Sequence, residues 1–271
     1  MARDLPDAHT WTIKQLLFES LLDELDTVFS ILETPYMPIK GAYLIRSGLA
    51  NRLSQREMLD IDILVKPRDF PAVADRFARD PRSTPRKNHW PFENSFQFRV
   101  GKITGCVEIH HHLNYPERFL LPADELFSRA RELSPGKSCM LPCPEDALLI
   151  LVCHALVHIG FEIKSASIAE IQLISSLEGF SWERFWRQCE RTGIADFARF
   201  LFSLTSPHFP LLNPRKSVYC AALSRMISPE HYQQMPKLLR RLIIEWPMMR
   251  NPVGFLWKRG ILKQTTIDLP G

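Results

Sequence analysis

The stretch that decides the fold is Met58-Leu59-Asp60-Ile61-Asp62-Ile63-Leu64-Val65. Its β-branched and aliphatic residues read as a strand. Side chains at i and i+2 share one face of a strand, so Asp60 and Asp62 project together while Leu59, Ile61 and Ile63 point the other way. Two carboxylates side by side repel unless something positive sits between them. A divalent cation is the usual remedy. Mg²⁺ is commonly held by one or two carboxylates plus substrate phosphates, so the pattern points to phosphoryl or nucleotidyl transfer.

Two neighbouring segments extend this pattern. Residues 95–100 and 103–109 read as strands joined by Gly101-Lys102, a hairpin signal. The second of them contains Cys106-Val107-Glu108-Ile109-His110, where Glu108 is flanked by apolar residues and shares a face with His110. A third acidic group on a neighbouring strand would complete a metal-binding triad. Upstream, Ile39-Lys40-Gly41-Ala42 places a glycine at a strand-to-helix turn. There the backbone can approach a phosphate closely and a helix N-terminus supplies amide donors.

In this order the chain resembles the nucleotidyltransferase superfold of the DNA polymerase β type. More narrowly, it resembles an uncharacterised bacterial nucleotidyltransferase family with a KG, R-x-x-x-D-h-D-h-L-V and h-E-h-H pattern. The matching residues are Lys40-Gly41, Arg56, Asp60 to Val65, and Val107-Glu108-Ile109-His110. The motifs cover residues 36–113, and a helical second half is also typical of the group. The resemblance implies that Asp60 and Asp62 hold Mg²⁺ (or Mn²⁺) on the nucleotide phosphates. Glu108 would bind a second metal or act as base on an acceptor hydroxyl, with two metals about 3.5–4 Å apart. Lys40 or Arg56 would offset phosphate charge. Lys40, Gly41, Ala42, Arg56 and His110 are thus the expected nucleotide contacts. The turn departs from the superfold at Gly41-Ala42, where many members carry Gly-Ser or Gly-Gly. The implied reaction moves NMP from an NTP to a hydroxyl on a small molecule, a protein or an RNA end. Two other readings stay open: a nucleotide- or partner-binding module of the same fold without catalysis, and a nucleic-acid-binding protein.

The last of these rests on the C-terminal stretch, where Lys237, Arg240, Arg241, Arg250, Lys258, Arg259 and Lys263 are interleaved with Trp246, Phe255 and Trp257. Basic residues among aromatics can bind single strands, but a packed terminal helix with a solvated face has the same composition. The net charge of +4 suits a phosphate-bearing substrate and falls well short of a nucleic-acid signature. The six cysteines are scattered along 271 residues, a chain long enough to fold without disulfides, so reduced thiols in a cytoplasmic protein are expected. No apolar signal core opens the chain, and the apolar run 147–157 is too short to span a bilayer, so no membrane partner is expected. Cys139, Cys143, His154 and His158 approach zinc-finger spacing, though the gap from cysteine to histidine is short. Core or cleft-facing histidines are the default there.

Apolar spacing predicts helices over 12–32, 42–51 and 67–77, a loop over 80–88, and helices from Pro144 onward, including 165–177, 182–191 and 195–204. The expected fold is α+β: a nucleotidyltransferase-like core with a short mixed sheet over residues 1–138, followed by an all-helical domain over 139–271.

Overall fold

A computed structural model describes residues 8–53, 58–88, 92–113, 119–157, 165–205 and 235–236. Helix α1 (Ala8–Ile31) leads to a short strand β1 (Tyr36–Pro38), helix α2 (Lys40–Arg46), strand β2 (Asp60–Val65) and helix α3 (Phe70–Arg79). Strands β3 (Ser83–Pro85), β4 (Glu93–Val100) and β5 (Ile103–His110) follow, then α4 (Ala123–Arg129), β6 (Arg131–Glu132) and β7 (Met140–Leu141). Helices α5 (Pro144–Val157), α6 (Ser165–Ser175), α7 (Trp182–Thr192) and α8 (Ala195–Thr205) complete the described chain. This is the expected mixed α+β architecture with a helical C-terminal part.

The sheet has the order β1-β2-β5-β4-β3. β2 and β5 run parallel, while β1–β2, β5–β4 and β4–β3 are antiparallel. Residues paired across a ladder share a face. One face therefore presents Ile61 and Ile63 of β2, Val107 and Ile109 of β5, and Phe96 and Phe98 of β4. All six are buried. Helices α1 and α3 cover that face: the Phe77 ring lies 5.5 Å from Phe96, 5.6 Å from Phe98 and 6.2 Å from Phe29. Gly105 belongs to the same face, and a Cβ there would collide with the buried Leu21 of α1. The helix sits against the strand because that position has no side chain. The opposite face carries Asp60 and Asp62, Glu108 and His110, and Glu93 and Ser95.

Four local expectations change. Leu59 precedes the strand and is 72% exposed, so it does not take part in the alternation. The Pro81-to-Pro85 segment is not all loop, because Ser83–Pro85 pairs with Phe96 to Phe98 as an edge strand. Proline is tolerated there, where one side of the strand needs no donor. The second helix begins at Lys40 and stops at Arg46, with Gly48 at φ +71° ending it. Finally, α4 and the β6–β7 pair occupy a segment in which spacing signals no element.

The chain divides into two compact units. The first is Met1–Leu113 with Pro122–Leu151 and Lys164–Ser181; the second is Asn114–Leu121 with Val152–Ile163 and Trp182–Gly271. In the second unit, Trp182, Phe185, Trp186 and Phe202 pack ring against ring at 5.2–6.5 Å, and the Arg199 guanidinium lies 5.5 Å from the Trp186 ring. Among the described residues, no helix is long and apolar enough to cross a membrane.

In the first unit a half-buried set of ion pairs, centred on the buried Asp80, ties α1 to the end of α3. Asp80 accepts from the Arg82 backbone N–H at 2.9 Å and from Arg82 Nε at 3.0 Å, and lies 3.1 Å from Arg76 Nη1. Arg82 also donates to Glu24 on α1 at 2.8 Å and covers the Phe98 ring. The Arg82 hydrogen bonds hold the Asp80 carboxyl below its ordinary pKa. A carboxylate whose folded pKa is depressed contributes stability fully above its unfolded pKa and loses it as pH falls through the folded value. Asp80→Asn is therefore expected to cost about 1.5–3 kcal/mol at pH 7. Urea melts of the two proteins should converge as the pH drops below about 4.

Candidate functional site

The parallel pairing of β2 with β5 sets Asp60 beside Cys106, Asp62 beside Glu108, and Leu64 beside His110. The hairpin pairing of β5 with β4 then sets Ser95 opposite Glu108 and Glu93 opposite His110. Asp62, Glu108, His110 and Glu93, from three strands, thus meet on the polar face, and α2 adds Lys40. Lys40, the first residue of α2, places Nζ 2.6 Å from Asp62 Oδ1.

Asp62 is the centre of this group. The same oxygen, Oδ1, lies 3.0 Å from His110 Nε2. Glu108 Oε2 is 3.8 Å from His110 Nε2, and Glu93 Oε2 is 3.5 Å from His110 Nδ1. Asp62, Glu93 and His110 are all at most 5% exposed. Such burial raises the cost of any charge left unbalanced. Glu108 reports the imbalance. Burial first, and then the charges of Asp62, Asp60 and Glu93, push its carboxyl up to about 8 against an opposing pull from Lys40.

Among the described residues, the group whose ligand atoms all lie within 4.8 Å of one another is Asp62, Glu108 and His110. Two carboxylates and an imidazole are donors a divalent cation accepts, so the residues fit one. Of the three carboxylates expected to share a cation, Asp62 and Glu108 converge. Asp60 stands half-buried at the start of β2 outside that trio, although its charge reaches Glu108. Lys40 joins the group. Gly41 and Ala42 follow it, buried in the first turn of α2. Arg56 lies outside the described residues.

Lys40 adopts φ +53°, a left-handed conformation that glycine takes readily and a lysine does not. Strain of this kind costs of order 1–3 kcal/mol and persists where surrounding contacts over-determine it. Here the contact is the ion pair with Asp62, whose two side chains are 12% and 6% exposed.

The other histidines of the run leave the group. β5 ends at His110, and the His111 ring packs at 4.3 Å on Phe70 of α3. Cys139 and Cys143 are held as thiols, pushed up to about 11 and about 12 by burial. His158 and the basic C-terminal stretch from Lys237 to Lys263 lie outside the described residues.

Glu93 is the member that sequence reading passes over. The strand was expected to start at Ser95, two residues later. Counting outward from the Gly101-Lys102 turn nevertheless puts Glu93 opposite His110, so the hairpin register carries the signal.

No curated protein matches the chain. The solution structure of the antibiotic-resistance factor ANT(2'')-Ia matches at 12% identity over 66% of this chain and 90% of that chain, with a TM-score of 0.42. The family described as uncharacterised nucleotidyltransferase matches residues 5–210, well over half of the chain, and the protein belongs to that nucleotidyltransferase family.

Proposed function

We propose that the protein moves NMP from a nucleoside triphosphate to a hydroxyl acceptor, with a divalent cation (Mg²⁺ or Mn²⁺) held at the polar face of the sheet. The observation that carries this reading is the convergence of Asp62, Glu108 and His110 beside the Lys40 ammonium. Asp62 and Glu108 would hold the cation, with Asp60 at the margin as a further carboxylate. When bound, the cation supplies charge against the triphosphate and lowers the cost of in-line attack at the α-phosphorus. Glu108 would either hold a cation with Asp62 or serve as the base that takes the acceptor's proton. Lys40 contributes a positive charge beside the phosphates. Gly41 and Ala42 offer small residues where a triphosphate approaches α2, and Arg56 remains a proposed phosphate contact.

A second reading is a nucleotide- or partner-binding module that has lost catalysis. The Lys40–Asp62 ion pair favours it, because the ammonium already satisfies the oxygen a cation would use. Labelled triphosphates separate the two. An NTP labelled at the α-phosphate, incubated with Mg²⁺ or Mn²⁺ and a cell extract, should pass its label to an acceptor, and Glu108→Gln should abolish the transfer. Cation-dependent NTP binding without transfer would select the second reading. Absence of NTP binding under any cation would remove both.

A further inference from the structure

We propose that Ser95 and Arg86 form the acceptor side of the site, and that the acceptor carries an anionic group, phosphate or carboxylate, within about 10 Å of its hydroxyl. The inference deepens the proposed function and rests on that reading, since it names the class of molecule the same site takes.

The register of the sheet carries it. Asp62 pairs with Glu108, and Glu108 with Ser95. Beyond them the Arg86 N–H donates to the Ser95 carbonyl at 2.8 Å, which continues the β3–β4 ladder by one residue and sets Arg86 opposite Ser95. One row on the polar face therefore reads Asp62, Glu108, Ser95, Arg86. Neighbouring strands stand about 4.8 Å apart, so the backbone of Arg86 is two spacings from that of Glu108.

The ends of the row differ. Lys40 Nζ is 2.6 Å from Asp62, at the end where α2 begins and where Gly41 and Ala42 lie. Arg86 stands at the opposite end and is exposed. Two cations at opposite ends of one row suit two different anions: the triphosphate at Lys40 and a charged acceptor at Arg86. The guanidinium fork matches two oxygens of a phosphate or a carboxylate.

The segment carrying Arg86 is fixed to β4. Besides the Arg86 bond, the Ser95 N–H donates to Asn88 Oδ1 at 3.0 Å. The guanidinium also leans over the sheet. Burial pushes the Cys106 thiol up, and Arg86 beside it pulls the other way. Cys106 shares the face of Glu108, two residues along β5. Ser95 lies between Glu108 and Arg86 with an unmet bond: it is 3% exposed, and among the described residues its Oγ has no hydrogen-bond partner. Such a bond is costly to leave unmade, and a substrate oxygen lying between Glu108 and Arg86 would complete it.

The test uses the full chain, the common ribonucleoside triphosphates labelled at the α-phosphate, Mg²⁺, and a cell extract divided on an anion exchanger. Acceptor activity is expected in the retained fraction. Its loss after phosphatase treatment of that fraction identifies a phosphate, and its loss after carbodiimide amidation a carboxylate. With that fraction, Arg86→Gln should raise the acceptor KM about tenfold or more while the NTP KM stays within about twofold, and Arg86→Lys should recover part of the loss. Ser95→Ala should also raise the acceptor KM, yet melt no lower than the wild type, because the unpaired hydroxyl is gone. Acceptor activity confined to the unretained fraction, or an Arg86→Gln protein in which only the NTP KM changes, overturns the inference and leaves the proposed function standing. Absence of transfer to any fraction removes the proposed function instead. The subsite is then read alone: inorganic phosphate or acetate should slow alkylation of Cys106 relative to Cys143 in the wild type and not in Arg86→Gln. Protection by neither anion overturns the inference.

Discussion

Asp62→Asn is expected to lower nucleotidyl transfer by about 10³-fold or more, the scale seen when one preorganised electrostatic group is lost from a reacting centre. The reason is that a single oxygen, Oδ1, serves both Lys40 at 2.6 Å and His110 at 3.0 Å. The amide keeps the volume but not the charge, so the site changes from an anion surrounded by cationic and imidazole donors to a neutral group. Asp62→Ala is the harsher change. It leaves the Lys40 ammonium, 12% exposed, without its carboxylate, at a cost of about 3–5 kcal/mol. Thermal melts should therefore rank wild type above Asp62→Asn and Asp62→Ala lowest, while transfer assays place both variants near background. An Asp62→Asn protein with wild-type transfer would remove Asp62 from the chemistry altogether.

Arg129→Met is expected to be strongly destabilising although it lies away from the site. Arg129 closes the last turn of α4 and grips Asp146 with two bonds, Nε to Oδ2 at 2.8 Å and Nη2 to Oδ1 at 3.0 Å. Asp146 stands in the first turn of α5 and is 1% exposed. Removing the guanidinium strands a buried carboxylate, which costs about 3–5 kcal/mol and should lower the melting temperature by roughly 10 °C. The double change Arg129→Met with Asp146→Leu should recover most of that loss, because a buried ion pair replaced as a whole by apolar groups is often neutral. A double variant no more stable than the single one would show that the pair contributes more than the mutual relief of two buried charges.

Much of this site was legible in the sequence, for a physical reason. Strand alternation has a period of two, so Asp60-Ile61-Asp62 and Glu108-Ile109-His110 announce which groups share a face once both segments are read as strands. Helices α1, α3 and α5 to α8 follow from apolar spacing in the same way. What could not be read is which of the aligned groups converge. Sequence makes Asp60 and Asp62 equivalent, but the pairing of β2 with β5 puts Asp62 level with Glu108 while Asp60 faces Cys106. The motif made Lys40 an expected phosphate contact but gave no sign of it as the partner of Asp62, because a left-handed backbone at a lysine has no local signature. The start of β4 was misplaced because Glu93 and Asn94 are poor strand formers, held in place by their partners His110 and Ile109.

The hairpin register has one more consequence. The pairing that buries Phe96 and Phe98 under α3 is the pairing that sets Glu93 against His110 and Ser95 against Glu108. A slip of one residue between β4 and β5 would turn the aromatic rings outward and scatter the ionisable groups in the same step. Proofreading of the hydrophobic core is therefore also proofreading of the site. A chain that folds with the wrong strand alignment cannot keep the polar cluster, so molecules that hold it will be those that also passed the test of core packing.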